Sequence, residues 1–335
     1  MMPTEKMDHW ERLRCTLAGN DVDRPPVSMW CHFWDRENTA EALAGSMLEY
    51  YNKYDWDFLK VQSRSTYAME AFGLEVFYEG AKHGVTKHPI SGPKDYLALK
   101  VPDVTAGPFK EMLDAADLIN QGLNKRAPFI WTIFSPMVLA SRMMPKEATF
   151  LEYLREYPQE ANHALDVVAD TLIAFAGHMI EHGATGFFYG TNSWGTTDAI
   201  TEEEYRKYIM PYDLKVLEAL PKVGSEFTLL HVCRDHCMVK AFKDYPVQIF
   251  NWDSRGEGNP SLSEVRSLVK DRTVLGGMNF NQKLVDATPE QLTAEVAALH
   301  TAMGNKHWIL GGGCAFPWTT PEANLHAIRE AIDNV

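Results

Sequence analysis

The sequence predicts an α/β protein built as a single (β/α)8 TIM barrel over residues 1–335, with an N-terminal extension and a small insertion near 74–104. Three observations carry that expectation. Short β-branched or aromatic runs alternate with stretches of 3.6-residue periodicity along the chain. In the second half those runs end near 233, 253, 279 and 314, a spacing of one βα unit. No Gly-x-Gly-x-x-Gly turn opens the chain, so the usual mark of a doubly wound dinucleotide sheet is missing.

The elements follow in order. A first strand is expected over 27–33, after the turn-forming Asp23-Arg24-Pro25-Pro26. Strands over 57–62, 129–134 and 183–190 come next, the last after a long helix at 158–182. Between them, residues 74–104 carry Gly80, Gly84, Gly92 and Pro93 and read as an insertion of short mixed strands. The fifth strand is 227–233, with a short helix at 237–243, and the sixth is 247–253. A helix over 261–270 starts at Ser261, with Glu264 at the capping-box position. Strand seven (273–278) leads to a helix over 289–303, and strand eight (307–314) to a helix over 321–332.

Composition narrows the function. With 45% hydrophobic residues the chain is too apolar for disorder. Its longest apolar stretch, 129–144, is broken by Thr132, Ser135, Pro136, Ser141 and Arg142 and falls short of a membrane span. Acidic residues outnumber basic ones, 45 to 32, which argues against a general nucleic-acid binder. Five cysteines at irregular spacing do not make a disulfide framework, and reduced thiols in a cytoplasmic protein are the better reading. The first 14 residues are charged and hold no apolar signal core. Oligomeric state is left open.

Catalytic groups in such barrels sit at the carboxyl ends of the strands. The fifth strand ends in His231-Val232-Cys233, where residues two apart face the same side. The eighth ends in three glycines and Cys314. One nitrogen and two sulfurs suit zinc, with a position left open for a substrate, although buried cysteines that merely pack a barrel mouth would look the same. Cys237 competes as a ligand but falls on the following helix, and Cys15 and Cys31 read as packing residues. Asp253, at the sixth strand end, reads either as a fourth ligand or as a turn cap paired with Arg255. Trp30 and His32 at the first strand end, Gln62 and Arg64 at the second, and Tyr189 and Asn192 at the fourth are candidate substrate-binding residues by position.

The opening Arg24-Pro25-Pro26-Val27, the block 129–140 and the ending Gly312-Gly313-Cys314-Ala315-Phe316-Pro317-Trp318-Thr319-Thr320-Pro321 together resemble the uroporphyrinogen decarboxylase superfamily, over essentially the whole chain. The resemblance implies a (β/α)8 barrel. True decarboxylases of that family carry an Arg-Gln-Ala-Gly-Arg motif after the first strand, where this chain has Cys31-His32-Phe33-Trp34-Asp35. The family's catalytic aspartate after strand two is replaced in the region Gln62-Ser63-Arg64, and its Gly-Asn-Leu-Asp-Pro signature becomes Gly277-Met278-Asn279-Phe280-Asn281. His231, Cys233 and Cys314 match instead the zinc-binding pattern of the methylcobamide:thiol methyltransferases of the coenzyme M type, with Asp253 as the match to an acidic residue that completes their metal-free site. That branch implies a zinc-dependent methyltransferase moving a methyl group between a corrinoid and a small thiol or other methyl donor or acceptor. The corrinoid would arrive on a separate carrier protein, since no Asp-x-His-x-x-Gly motif is present. The alternatives are a decarboxylase-like lyase acting on a smaller, less acidic substrate, with His32, Asp35 or Asp253 in acid–base roles, and a non-enzymatic tetrapyrrole-binding protein.

Overall fold

The computed structural model describes residues 6–335. Its strands are β1 (Leu59–Lys60), β2 (Glu75–Glu79), β3 (Lys82–Lys87), β4 (Phe129–Phe134), β5 (Gly186–Gly190), β6 (Phe227–Val232), β7 (Ile249–Trp252), β8 (Thr273–Met278) and β9 (Trp308–Gly312). Seven of them pair in parallel in the order β1-β4-β5-β6-β7-β8-β9. The other two, β2 and β3, form an antiparallel hairpin in the stretch expected to be an insertion.

Strand alternation sorts the side chains into two cores. Phe58, Ile130, Phe188, Leu229, Ile249, Leu275 and Ile309 gather with Leu13 and Trp30 into one inner cluster. The opposite parity, including Trp131, Tyr189, Val232, Trp252 and Leu310, packs outward into the larger core. An inner cluster that draws on Phe58, just before β1, and on Ile309 in β9, the two ends of the order, requires the sheet to curl on itself.

The expected first strand, 27–33, is the main correction. It is reduced to a single parallel bridge, Val27 to Leu310. Leu310 N donates to Pro26 O (2.8 Å), Ser28 N to Leu310 O (3.1 Å) and Asp57 N to Val27 O (2.9 Å). The reason lies in where the backbone groups of this segment go. Pro25 and Pro26 have no N–H to give, and the Val27 N–H goes to the Asp57 carboxylate at 2.7 Å. Further on, Met29 O accepts from the Tyr50 hydroxyl and Trp30 O from Phe316 N. Several helices match expectation closely: Pro289–Met303 is found as read, and Leu262–Val269 has the Ser261/Glu264 capping box. Helix Pro158–Glu181 is long and apolar enough to cross a membrane by length and composition. Its apolar face is accounted for by the fold, since Ala161, Leu165, Val168, Leu172, Phe175 and Met179 on it are buried in the core.

At the amino-terminal end of the sheet, Asp57 is fully buried among donors. Arg12 Nη1 and Arg24 Nη1 each lie 2.6 Å from it, and His9 Nδ1 lies 2.9 Å away. His9 Nε2 also meets Asp55 at 2.9 Å. Burial opposes charge on His9, but these two carboxylates outweigh it and hold its pKa up to about 9. Because the folded-state value lies above the ordinary 6.5, the stabilisation is complete below about pH 6.5 and is lost as pH rises through about 9. Thermal unfolding followed from pH 6.5 to 9.5 is therefore expected to show a loss on the order of 2 kcal/mol. His9→Gln should flatten that slope, and an unchanged slope in the variant would refute the assignment.

Candidate metal centre

β6 is buried along its whole length, and its inward parity runs Leu229, His231 and, one step past the strand, Cys233. β9 delivers the third group. A Cβ placed on Gly313 would stand 2.6 Å from Asp253 Cα, so only glycine lets the chain leave β9 this close to the β7 loop and set Cys314 beside β6. The result is a convergence in which His231 Nε2, Cys233 Sγ and Cys314 Sγ all lie within 4.8 Å of one another. The Cys233–Cys314 sulfur separation is 3.9 Å, and Cys314 Sγ lies 3.6 Å from His231 Nε2. Tetrahedral zinc with ordinary bond lengths has edges of about 3.8 Å between two sulfurs and about 3.6 Å between sulfur and nitrogen. The two measured edges fit that ion, and the donor set is the soft one zinc takes.

The histidine is held in one tautomer by its neighbour across the sheet. Asn251 on β7 is the register partner of His231. Its Nδ2 donates to Leu275 O and Gly312 O, both at 3.0 Å, which assigns the amide orientation. Its Oδ1 is then left to accept from His231 Nδ1 at 2.6 Å. With Nδ1 carrying the proton, Nε2 presents its lone pair to the two sulfurs. Phe188 on β5 stacks against the same ring, centroids 5.0 Å apart. The sulfurs share a proton unequally. Its hydrogen bond to Cys314 pushes the Cys233 thiol up, and accepting from Cys233 holds Cys314 down against its burial.

Above the three ligands is a cavity of about 210 Å³. Of the expected substrate-binding residues, Trp30, His32, Gln62 and Asn192 line it. Gln62 Nε2 lies 2.6 Å from His32 Nε2, whose other nitrogen meets the buried Glu37 carboxylate at 3.0 Å. Asn192, with its amide oxygen turned to Arg142, accepts from that guanidinium at 3.1 and 3.3 Å. Arg64 and Tyr189 are placed elsewhere. Arg64 is drawn away by Glu70 and Glu111, at 3.0 and 2.9 Å. Tyr189 has outward parity, and its hydroxyl donates to the buried Asp213 at 2.6 Å. Asp253 stands outside the three-ligand group, its carboxylate accepting from Arg255 N at 3.0 Å. Cys237 is buried on a separate bridge to Thr196.

Six lining residues escape a reading by strand ends: Lys60, Ser65, Phe134, Arg142, Phe188 and Ala315. Two had a signal. Lys60 lies two residues before Gln62 and shares its parity, and Phe188 takes the inward place beside Tyr189. Asn251 was equally reachable, since the bulky Trp252 next to it claims the outward side.

Fold and site together define an α/β protein with a His/Cys/Cys group that could hold a metal ion at the carboxyl ends of a curled parallel sheet, where the catalytic groups of such sheets sit. The profile of the uroporphyrinogen decarboxylase (URO-D) family matches residues 9–335, and the chain belongs to that family. It is 24% identical over 341 residues to the methylcobamide:CoM methyltransferase MtbA of Methanosarcina mazei, covering 97% of each chain. A uroporphyrinogen decarboxylase of Hydrogenovibrio crunogenus is also 24% identical, over 80% of this chain and 75% of that one. Among solved structures, a methyltransferase from Methanosarcina mazei superposes with a TM-score of 0.85 at 19% identity, over 98% of this chain and 99% of that one, a likeness of fold.

Proposed function

We propose that the chain is a zinc-dependent methyltransferase working between a methylcobamide and a small thiol. The single observation that carries this reading is the convergence of His231, Cys233 and Cys314 at the two edge lengths a zinc site requires. The full-length similarity to methylcobamide:CoM methyltransferases supports it. So does the loop over residues 31–35, which offers no arginine to pair with a polycarboxylate.

Zinc held by these three residues would keep a substrate thiol ionised at neutral pH. The chain supplies the rest. Asn251 fixes the tautomer of His231 so that Nε2 faces inward. Trp30, Phe134 and Phe188 wall the cavity with apolar rings and keep water from the reacting sulfur. Methyl transfer to that sulfur would form a carbon–sulfur bond and break the cobalt–carbon bond of the co-substrate, whose cobalt would keep the electron pair. The reverse direction uses the same groups. The corrinoid is taken to come on a carrier protein, and the site to lie in one domain over 1–335, with the segment 26–28 in the eighth position of a barrel between β9 and β1. Five free cysteines among the described residues support a reducing, cytoplasmic setting.

Loss of the methylcobalamin absorption on adding a panel of small thiols tests the reading. Thiol-dependent demethylation that stops on chelation is expected. Carbon dioxide release from small acids that survives chelation, without demethylation, would replace it with the lyase reading.

A further inference from the structure

Among the described residues, Lys60 is a basic group buried in the cavity wall without a carboxylate partner. Its side chain ends β1 and is 3% exposed. It hydrogen-bonds the neutral Gln62 Oε1 and makes no ion pair among the described residues. Its nitrogen sits 4.2 Å from the centre of the Phe188 ring, the ring that stacks on His231, and 5.9 Å from that of Trp30. The buried acid Glu37 is already engaged by His32 Nδ1 and Phe33 N. An ammonium desolvated in this way is costly unless an anion joins it. Burial pushes its pKa down to about 7, with Cys314 and Glu37 pulling the other way.

We infer that Lys60 is the ligand-facing cation of this site: it supplies the counter-charge for an anionic sulfur ligand held in the cavity beside His231, Cys233 and Cys314. The inference rests on the zinc reading above and deepens it. Two cysteine thiolates cancel a divalent ion, so a third thiolate leaves one negative charge in a low-dielectric cavity. Lys60 is the buried group that can balance it, and Arg142 at the mouth is already shared between Glu147 and Asn192. A neutral ligand gains nothing from the same ammonium. Lys60 therefore selects thiolates over neutral donors.

The test uses the full-length protein carrying Co2+ in place of zinc, whose visible absorption reports ligand binding without turnover. Ethanethiol and imidazole serve as probes, one binding as an anion and the other neutral. Lys60→Met is expected to weaken ethanethiol binding about tenfold or more while changing imidazole binding less than about twofold. Lys60→Arg should keep ethanethiol binding within about threefold of the parent. The methionine variant removes an unpaired buried charge, so it is expected to fold at least as well as the parent, and the arginine variant gives a second reading in any case. Equal losses for both probes, or no loss for either, would overturn the role of Lys60 and leave the metal site standing. Failure of the parent to take up cobalt or zinc would overturn both.

Discussion

Cys314→Ser is expected to strip the protein of zinc and, with it, of methyl transfer. Serine keeps the size of the side chain but replaces a soft thiolate with a hydroxyl that stays protonated at neutral pH. Cys314 is the group shared by both measured edges, 3.9 Å to Cys233 Sγ and 3.6 Å to His231 Nε2, so its loss opens both. Even outer partners of metal ligands change affinity by about 10–100-fold, so loss of a ligand should exceed about 100-fold. Cys233→Ser should do the same. Cys237→Ser, on a buried residue outside the ligand group, should keep the metal. Competition with a chromophoric chelator measures all three, with circular dichroism to confirm folding. A Cys314→Ser protein that keeps its zinc at parental affinity would remove that residue from the site.

The second large effect lies at the opposite end of the sheet. Asp57→Ala should cost about 3–5 kcal/mol of stability, because it leaves two buried guanidiniums without their shared carboxylate. Asp57 is fully buried and takes Arg12, Arg24, His9 and the Val27 N–H at once. Burial alone would raise its pKa, but His9 and the two arginines hold it well below the usual carboxylate range. The same residue also ties the 26–28 segment to the sheet, so the damage should reach the hydrogen bonds of that segment to Leu310. Denaturant unfolding gives the number, and the metal content of the folded variant should match the parent. A loss below about 1 kcal/mol would mean that the cluster is not what holds this end together.

Much of this site can be read from the chain because strand parity is a simple rule. His231 and Cys233 stand two apart at a strand end, and the glycines before Cys314 announce a close approach, which the contact of Gly313 with Asp253 Cα makes concrete. The same rule fails where the strand has already ended. β1 stops at Lys60, so Gln62 keeps its inward place while Arg64, four residues beyond Lys60, follows Glu70 and Glu111 instead. Tyr189 shows a different limit. Its place at a strand end suggests the cavity, but its hydroxyl is satisfied by a buried aspartate on the outer side that no local pattern reveals. The first strand is illegible for a related reason. Residues 27–33 have strand composition, yet the hydrogen bonds of the segment are spent on Asp57, Tyr50 and Phe316, partners distant in sequence. The parity that Lys60 shares with Gln62 points inward, against the solvent-facing place a lysine ordinarily takes in a strand.

The most direct test of the central claim, that His231, Cys233 and Cys314 hold zinc, is elemental analysis of the purified full-length protein. About one zinc per chain, released when Cys233 or Cys314 is replaced by serine, is the expected result. A folded protein that binds no zinc when it is supplied in excess would contradict it.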